Sequence, residues 1–146
     1  MCGIVGYIGN KSAIEPVING LKALEYRGYD SAGITALTSK DPVTVKQVGR
    51  VEALEAELEE KGKINSHLAI GHTRWATHGS PSINNAHPHF NTDNSVFAVH
   101  NGIIENYQQL RTKLQNQGYT FVSQTDTEVI PHLIDSYMKT EKNFLK

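Results

Sequence analysis

The sequence predicts a single domain that mixes helices with strands. The chain has 146 residues, which is the usual size of one domain. Segments whose apolar residues recur at helical spacing alternate with short apolar runs that are typical of strands. Some predicted strands follow one another directly, so antiparallel pairing is as well supported as βαβ units. The chain shows no internal repeat and no low-complexity linker, which supports one domain.

Strands and helices alternate through the first half of the chain. A capping-box pattern from Ser12 to Glu15 marks the start of a helix, and Gly28 is a natural stop for it. Gly62 closes the next helix in the same way. In chain order, the expected elements are a strand at 4–8, a helix ending near residue 24, strands at 32–37 and 43–48, a helix at 51–61 and a strand at 67–72.

The second half opens with a long polar loop. Residues 73–94 show little apolar periodicity and contain Gly79, Pro81 and Pro88. A loop of this length is uncommon unless it is functional or disordered. A second capping-box pattern at 125–128 predicts the start of the last helix. The elements expected after the loop are a strand at 95–100, a helix with Tyr107, Leu110 and Leu114 that stops at Gly118, a strand at 119–122 and a helix with Val129, Leu133 and Tyr137 on one face.

Composition excludes several classes of function. The 14 basic and 15 acidic residues give a net charge of −1, which excludes a polybasic protein that binds nucleic acid or anionic membranes through charge alone. No apolar run approaches the roughly 18–20 residues that span a bilayer. The N-terminus lacks the basic region of a signal peptide, and a single cysteine allows no internal disulfide. A cytoplasmic protein without a nucleic-acid or membrane partner is therefore expected.

Cys2 is the one cysteine, and it follows the initiator methionine. If Met1 is removed, Cys2 carries a thiol and a free α-amine on the same residue. The thiolate is the attacking species, and an α-amine with a pKa of about 7.7–8.0 can exchange a proton near neutral pH. An N-terminal residue that acts as its own base is a known form of nucleophilic catalyst. By position alone, however, a small residue at the start of a strand is the simpler interpretation.

Three further features could take part in chemistry, and each has a simpler structural interpretation. Asn101 and Gly102 could supply two N–H donors to an oxyanion, or form a tight hairpin turn. Arg74 could bind a carboxylate through two parallel hydrogen bonds, or be an ordinary surface residue. Asp126 could bind an ammonium group, or stabilise the start of the following helix. The residues alone leave these alternatives open.

Histidines crowd one region of the sequence. The histidines that fall there are His72, His78, His87, His89 and His100. Their spacing matches no standard zinc pattern, and no second cysteine is available. Gly-rich phosphate loops of the P-loop or Rossmann type are absent as well. The sequence therefore predicts neither a metal nor a cofactor.

Several segments together resemble the class II glutamine amidotransferases. The start of the chain, MCGIVG, and the Asn-Gly pair at 101–102 are shared across that class. The full set is most similar to the glutaminase domain of the enzymes that use glutamine to convert fructose 6-phosphate to glucosamine 6-phosphate. The motifs that carry the resemblance are LEYRGYDSAG at 24–33, GHTRWATHG at 71–79, NAHPH at 85–89, VHNGIIEN at 99–106 and TDTE at 125–128. Because they span nearly the whole chain in family order, the resemblance is specific.

The resemblance implies an α+β fold of the N-terminal-nucleophile hydrolase type, a four-layer αββα sandwich with mainly antiparallel sheets. It implies that the Cys2 thiolate attacks L-glutamine, that the α-amine of Cys2 moves the proton, and that Asn101 and Gly102 stabilise the oxyanion. The products are L-glutamate and ammonia. By the same resemblance, the residues expected to bind the substrate or support the site are Arg74 at the α-carboxylate, Asp126 at the α-ammonium, Trp75, Thr77 and His78 on a closing loop, and Arg27 beside Cys2.

The chain is shorter than the enzymes that it resembles. The glutaminase domain is expected to continue past residue 146, which leaves the sandwich incomplete, and the isomerase domains that would bind fructose 6-phosphate are absent. Full-length members are expected to be homo-oligomers. Two other interpretations stay open: a truncated module that binds glutamine or a partner without turnover, and a Cys–His hydrolase with His78 or His100 as base. A retained Met1 would leave Cys2 without its amine base.

Overall fold

A computed structural model describes residues 1–77 and 79–141. Within these ranges the chain folds into strands and α-helices in mixed order, with a short 3₁₀ turn at Glu25–Arg27. Among these helices, none has both the length and the hydrophobicity of a bilayer-spanning segment. The bounds are β1 (Gly3–Ile8), α1 (Ile14–Leu24), β2 (Ser31–Leu37), β3 (Val43–Val48), α2 (Val51–Lys61), β4 (Leu68–Arg74), β5 (His89–Phe90), β6 (Phe97–Ala98), α3 (Tyr107–Asn116) and α4 (Val129–Thr140).

The four longest strands form one sheet in the order β1-β4-β2-β3. β4 lies between β1 and β2, and the register pairs Gly3 with Thr73 and Ser31 with Arg74. Every pairing in this sheet is antiparallel, so the structure decides the alternative that the sequence left open. The start of β1, the end of β4 and the start of β2 therefore lie side by side at one end of the sheet.

Helices α1 and α2 cover one face of this sheet. Because side chains alternate along a strand, Ala69 and Gly71 of β4 share that face. Gly71 lets α1 approach closely, since a Cβ there would lie 2.6 Å from Val17 and 2.9 Å from Leu21. Both of these helical side chains are fully buried in the core between the helices and the sheet. The apolar spacing in the sequence therefore predicts the buried face of α1 correctly.

The opposite face of the sheet carries a second layer of strands. The His72 ring of β4 stacks on the His87 ring, with 4.1 Å between their centroids. His87 in turn contacts His89 of β5, with 4.5 Å between their centroids. β5 pairs with β6, α4 packs on both of these strands, and α3 packs on α4. The layers therefore run helix, sheet, sheet, helix, which confirms the predicted αββα arrangement.

Both capping-box predictions are wrong. Helix α1 begins after Ala13, and no side chain caps it. At the second box, Glu128 accepts the backbone N–H groups of 122–123, at 2.7 Å each, and does not reach back to Thr125. The Thr125 hydroxyl lies 2.9 Å from the His89 ring nitrogen Nε2. At the second box, partners from outside the helix thus bind the Thr125 and Glu128 side chains in place of a local cap.

The short strands also differ from the prediction. Residues 119–122 form no strand in the described part of the chain, where the N–H of residue 122 binds the Glu128 carboxylate and not a neighbouring strand. The expected strand at 95–100 is reduced to Phe97–Ala98. Its partner, His89–Phe90, lies within the segment predicted to be a loop. Strands of two residues carry too little periodicity to be recognised from sequence.

Helix α4 buries a different face from the one predicted. The predicted stripe includes Tyr137, but this side chain is 56% exposed. The buried face instead includes the polar residues His132 and Asp135, together with Val129. His132 packs against two aromatic rings, with 4.5 Å between its centroid and that of Phe121. A hydrophobic pattern cannot predict a buried face that is partly polar.

Gly33 of β2 provides a direct test of how the two sheets pack. A Cβ at this position would lie 2.0 Å from the His87 carbonyl oxygen, so alanine would force the layers apart. We expect Gly33→Ala to lower the free energy of unfolding by about 1–3 kcal/mol or more. Gly6→Ala is the matched control, because its Cβ would meet nothing closer than 4.0 Å. Urea denaturation measures both variants, and equal midpoints would contradict the contact.

Candidate active site

The candidate site lies where three strands meet at one end of the main sheet. β1 begins at Gly3 and β4 ends at Arg74, and their antiparallel register places Cys2 beside the end of β4. β2 begins at Ser31, opposite Arg74, so the segment before β2 reaches the same place. Strand register therefore brings together residues from three distant parts of the sequence.

The backbone of Trp75 binds the thiol of Cys2. The Trp75 N–H donates to Cys2 Sγ at 3.2 Å, and the thiol lies 3.6 Å from the Trp75 carbonyl oxygen. An N–H donor at this distance can stabilise negative charge on the sulfur. The Cys2 side chain is half-buried, so it is reachable from the adjoining cavity. Within residues 1–77 and 79–141, no imidazole hydrogen-bonds to Sγ.

Asp30 fixes the segment that carries Trp75, and sequence reasoning missed this residue. The Asp30 N–H donates to the Arg74 carbonyl oxygen at 3.0 Å, and the Asp30 carboxylate accepts the Ala76 N–H at 2.8 Å. Both sides of Trp75 are therefore tied to the residue that precedes β2. The signal was present in the YRGYD segment, but the partners lie far away in the sequence.

Asn101 lies on the other side of Cys2. Its Nδ2 donates to the Cys2 carbonyl oxygen at 3.2 Å, and its Oδ1 lies 2.8 Å from His72 Nε2. Gly102 follows with a φ of +146°, and a Cβ there would lie 3.0 Å from the His100 ring. Both the backbone angle and the packing therefore favour glycine. Helix α3, and no strand, follows this pair along the chain, so the pair does not form the turn of a hairpin.

Arg74 is a buried cation at the end of β4, so the surface interpretation is wrong. The residue is 4% exposed. Its guanidinium donates to the carbonyl oxygens of Gly79 at 3.0 Å and Ser80 at 3.5 Å, and so anchors the loop that follows β4. Burial lowers the pKa of this guanidinium, and neighbouring negative groups, Asp126 among them, oppose the shift. The side chain remains charged, because arginine does not deprotonate in proteins.

Asp126 is the buried anion of the site. It is 5% exposed, and its carboxylate accepts the Ile104 N–H at 2.7 Å and lies 3.5 Å from the Thr127 hydroxyl. The Asp126 carbonyl oxygen accepts the Val129 N–H at 3.2 Å, at the start of α4. This position suits an interaction with the helix dipole and also suits a cation held by the carboxylate.

The loop after β4 carries the remaining residues predicted to bind substrate. Trp75 is 48% exposed, and its ring packs edge-on against Tyr29, with 6.2 Å between centroids. Thr77 is exposed and lines the cavity beside Cys2. His78, the third predicted residue of this loop, lies outside the described residues.

A small cavity connects the candidate residues. It measures about 30 Å³, and its lining includes Cys2, Arg74, Thr77, Gly102 and Asp126. That volume is room for about one water. A thiol, a cation and an anion around one space can hold a zwitterion beside a nucleophile. A wider groove of about 330 Å³ between α1 and α2 has no cysteine or histidine in its lining.

Arg27 lies beside Met1 and is not part of the cavity lining. The Met1 α-ammonium donates to the Arg27 carbonyl oxygen, and the Arg27 guanidinium lies 3.8 Å from the Met1 sulfur. Gly28 packs against the same residue, since a Cβ there would lie 2.9 Å from the Met1 carbonyl oxygen. The 27–28 segment therefore holds the N-terminus in place. With Met1 attached, the nitrogen of Cys2 is an amide and cannot act as a base.

Three histidines form a buried column, and His87 at its centre also lines the cavity. His87 stacks on His72 and packs edge-on against His89, and all three side chains lie in the interior. Burial lowers the pKa of His72 to about 4 and holds the pKa values of His87 and His89 well below the ordinary range. All three rings are therefore neutral at pH 7. In the part of the chain that the structure describes, no group of three or more His, Cys, Asp or Glu could hold a metal ion.

The family follows from the sequence itself. Residues 50–145 match the model of the family described as glutamine amidotransferase domain. The match covers more than half of the chain, so the chain belongs to the glutamine amidotransferase domain family. Glutamine–fructose-6-phosphate aminotransferase (isomerizing) from Clostridium tetani is 56% identical over 139 residues, which cover 95% of this chain and 23% of the relative. The same enzyme from Helicobacter pylori is 53% identical over 146 residues, which cover 100% of this chain and 24% of the relative.

The chain therefore spans less than a quarter of the length of these curated relatives. Their identity to it confirms the predicted resemblance to the class II enzymes that use fructose 6-phosphate.

Solved structures support the same fold. A structure described as the allosteric regulatory enzyme of purine biosynthesis matches with a TM-score of 0.78 and 33% identity, over 97% of this chain and 30% of that one. Glutamine phosphoribosylpyrophosphate amidotransferase from B. subtilis, in complex with ADP and GMP, matches with a TM-score of 0.73, the same 33% identity and the same coverage of both chains. Together with the αββα layers, these neighbours confirm the predicted N-terminal-nucleophile hydrolase fold.

Proposed function

We propose that this chain hydrolyses L-glutamine to L-glutamate and ammonia, with Cys2 as the nucleophile. The observation that carries the proposal is the cavity at which the Cys2 thiol, the Arg74 guanidinium and the Asp126 carboxylate meet. Glutamine needs such a set, because its side-chain amide requires a nucleophile while its α-carboxylate and α-ammonium require opposite charges. Membership of the glutamine amidotransferase family supports the same reaction.

In this proposal the α-amine of Cys2 activates the thiol. Once Met1 is removed, the amine, with an ordinary pKa of about 7.7–8.0, accepts the thiol proton. The thiolate then forms a bond to the side-chain carbonyl carbon of glutamine, and the carbonyl oxygen becomes an oxyanion. The Trp75 N–H, 3.2 Å from Sγ, stabilises the sulfur before the attack. Removal of Met1 is therefore required for turnover.

Asn101 and Gly102 stabilise the oxyanion. Asn101 Nδ2 has two hydrogens, and one of them binds the Cys2 carbonyl oxygen at 3.2 Å. The other hydrogen and the Gly102 N–H are the donors expected at the oxyanion, and one such donor contributes about 10²–10³-fold to kcat. As the C–N bond breaks, the Cys2 ammonium gives its proton to the amide nitrogen, which leaves as ammonia. Water then hydrolyses the γ-glutamyl thioester, which releases glutamate and restores the thiol.

The loop after β4 acts as the cover of the site. In this proposal, as the resemblance implies, the loop that holds Trp75, Thr77 and His78 closes over glutamine after it enters. A closed loop excludes water and keeps ammonia from solvent. Arg27 supports the neighbourhood of Cys2 from outside the cavity.

In a longer protein, the ammonia would pass to fructose 6-phosphate. Relatives that are 53–58% identical carry the name glutamine–fructose-6-phosphate aminotransferase, and this chain corresponds to less than a quarter of their length. On this proposal, residues 1–146 belong to a glutaminase domain, and separate isomerase domains bind the sugar phosphate and assemble as homo-oligomers. The glutaminase step itself needs no metal or other cofactor, and a single reduced cysteine suits the cytoplasm.

Recognition by Arg74 and Asp126 predicts a pairing between variants and substrate analogues. Arg74→Ala should raise the KM for glutamine by about 10–100-fold, because the α-carboxylate loses a charged hydrogen-bond partner. The same variant should lose less activity toward 4-aminobutanamide, which lacks that carboxylate, because only the loss of the loop anchor then remains. Asp126→Asn should likewise raise the KM for glutamine and lose less activity toward glutaramate, which lacks the α-amine. Release of ammonia measures all four combinations.

The control is Arg50→Ala, which removes an exposed arginine that lies 5.5 Å from the Tyr29 ring centroid, outside the cavity. We expect its KM for glutamine to stay within about twofold of the unsubstituted chain, as is usual for a surface substitution. Equal losses of Arg74→Ala on glutamine and 4-aminobutanamide would show that the arginine acts only through the loop that it anchors and does not bind the carboxylate.

A further inference from the structure

We propose that His72 is a positioning residue for Asn101, and that its Nε2–H fixes the side-chain amide with the NH₂ group toward Cys2. The inference rests on the proposed function, because it concerns the donor assigned to the oxyanion. Its basis is a short chain of contacts from His72 through Asn101 to Cys2, with distances of 2.8 Å and 3.2 Å.

The orientation of the amide follows from the partners on each side. The Cys2 carbonyl oxygen can only accept a hydrogen bond, so the Asn101 atom that faces it must be Nδ2. The Asn101 oxygen, Oδ1, then faces His72 Nε2 at 2.8 Å. Because Oδ1 can only accept, the imidazole must carry its proton on Nε2. A flipped amide would place two acceptors against each other at Cys2.

This orientation decides what Asn101 can do. With NH₂ toward the nucleophile, the side chain offers a donor to developing negative charge. With Oδ1 toward the nucleophile, the Asn101 side chain would repel that charge. Asn101 itself is exposed, so its own packing does little to choose between the two orientations. A donor held at a fixed place behind it supplies the preference.

His72 suits that task because it cannot move easily. It is 1% exposed, it lies on the central strand β4, and its ring stacks on His87 at 4.1 Å. Burial also lowers the pKa of His72 to about 4, so one nitrogen keeps its proton and the ring is neutral at pH 7. His87 Nδ1 lies 3.4 Å from the His100 backbone nitrogen, which ties the segment before Asn101 to the same column.

The test is a double-mutant cycle on the chain without Met1. His72→Phe keeps a ring in the column but removes the donor, so kcat should fall by about 10–100-fold. The KM for glutamine should stay within about threefold, because the oxyanion exists only after the attack. In an Asn101→Ala background, His72→Phe should lower kcat by less than about twofold more. His132→Phe, a buried histidine outside the site at 1% exposure, is the control for loss of stability and should keep kcat.

If the losses of kcat from the two substitutions are additive, the inference is overturned. It is also overturned if His72→Phe keeps its kcat while Asn101→Ala loses activity. If Asn101→Ala itself retains full activity, the oxyanion assignment in the proposed function fails and the inference fails with it. If His72→Phe does not fold, a measurement on the unsubstituted chain tests the proposal instead. Nitrogen-15 NMR of labelled histidine should show the His72 proton on Nε2, and a proton on Nδ1 would overturn the proposal.

Discussion

Replacing Cys2 with alanine should abolish the release of glutamate from glutamine. The substitution removes the atom that attacks the amide, and loss of a nucleophile lowers kcat by about 10⁴–10⁶-fold in enzymes of comparable mechanism. The fold should persist, since Cys2 is half-buried and precedes β1. Glutamate release and a thermal melt, measured on the same preparation, separate loss of chemistry from loss of structure.

Retention of Met1 should have the same effect as Cys2→Ala. With Met1 attached, the nitrogen of Cys2 is an amide, and the Met1 ammonium binds the Arg27 carbonyl oxygen. A preparation that keeps Met1 should therefore release no glutamate until an aminopeptidase removes it. Activity that survives with Met1 in place, but is lost in His78→Ala or His100→Ala, would favour a Cys–His hydrolase over the proposed mechanism.

Mild acid should destabilise this protein strongly through its buried histidines. Burial lowers the pKa of His72 from 6.5 to about 4 and places that of His89 well below its ordinary value. The unfolded chain therefore binds more protons below pH 6.5, and stability is lost as the pH falls from 6.5 toward the folded pKa. For each such histidine, the free energy of unfolding falls by up to about 1.4 kcal/mol per pH unit between the unfolded and the folded pKa.

Urea midpoints at pH 7.5, 6.0 and 5.0 measure this loss. His72→Phe should flatten the decline, because the group that takes up the proton is removed. His67→Gln is the control, since His67 is exposed and lies outside the column. Below pH 4.5, Glu128 adds a further loss, because its hydrogen bonds hold its pKa below the usual value and protonation breaks them. A midpoint that does not change between pH 7.5 and 5.0 would contradict the buried neutral column.

The elements with clear periodicity could be predicted from the sequence. The predicted helix at 51–61 and strand at 43–48 have the bounds Val51–Lys61 and Val43–Val48 in the structure. Gly62 ends the first of these with a φ of +76°, as its position predicts. Such signals are local, because each depends on residues within one or two turns of the chain.

Features that depend on distant partners could not be predicted. Glu25 accepts the N–H of Val51 at 2.6 Å and so caps α2 from another part of the chain. Asp30, the residue before β2, binds the backbone on both sides of Trp75, at Arg74 and at Ala76. The histidine spacing predicted no metal site, but it could not predict the buried column, because the contacts between these rings exist only after the two sheets pack. Such tertiary contacts also explain why the capping box at 125–128 fails.

The candidate site could be predicted from the sequence in part. The sequence motifs identified Cys2, Arg74 and Asp126 individually, each with a plain structural alternative. Strand register and the start of α4 then bring them to one cavity. Their catalytic roles, and those of Asn101 and Gly102, remain predictions. The loop residues Trp75, Thr77 and His78 are predictions as well.

The most direct test of the central claim is an intact-mass spectrum, with peptide mapping, after exposure to a glutamine analogue that carries an electrophile at the side-chain carbonyl end. The account predicts one label, on Cys2, in chains that have lost Met1, and protection by excess glutamine. Chains that keep Met1 should stay unlabelled. Absence of label on chains that have lost Met1 would contradict the account, because it would mean that Cys2 is not the nucleophile of a competent glutamine site.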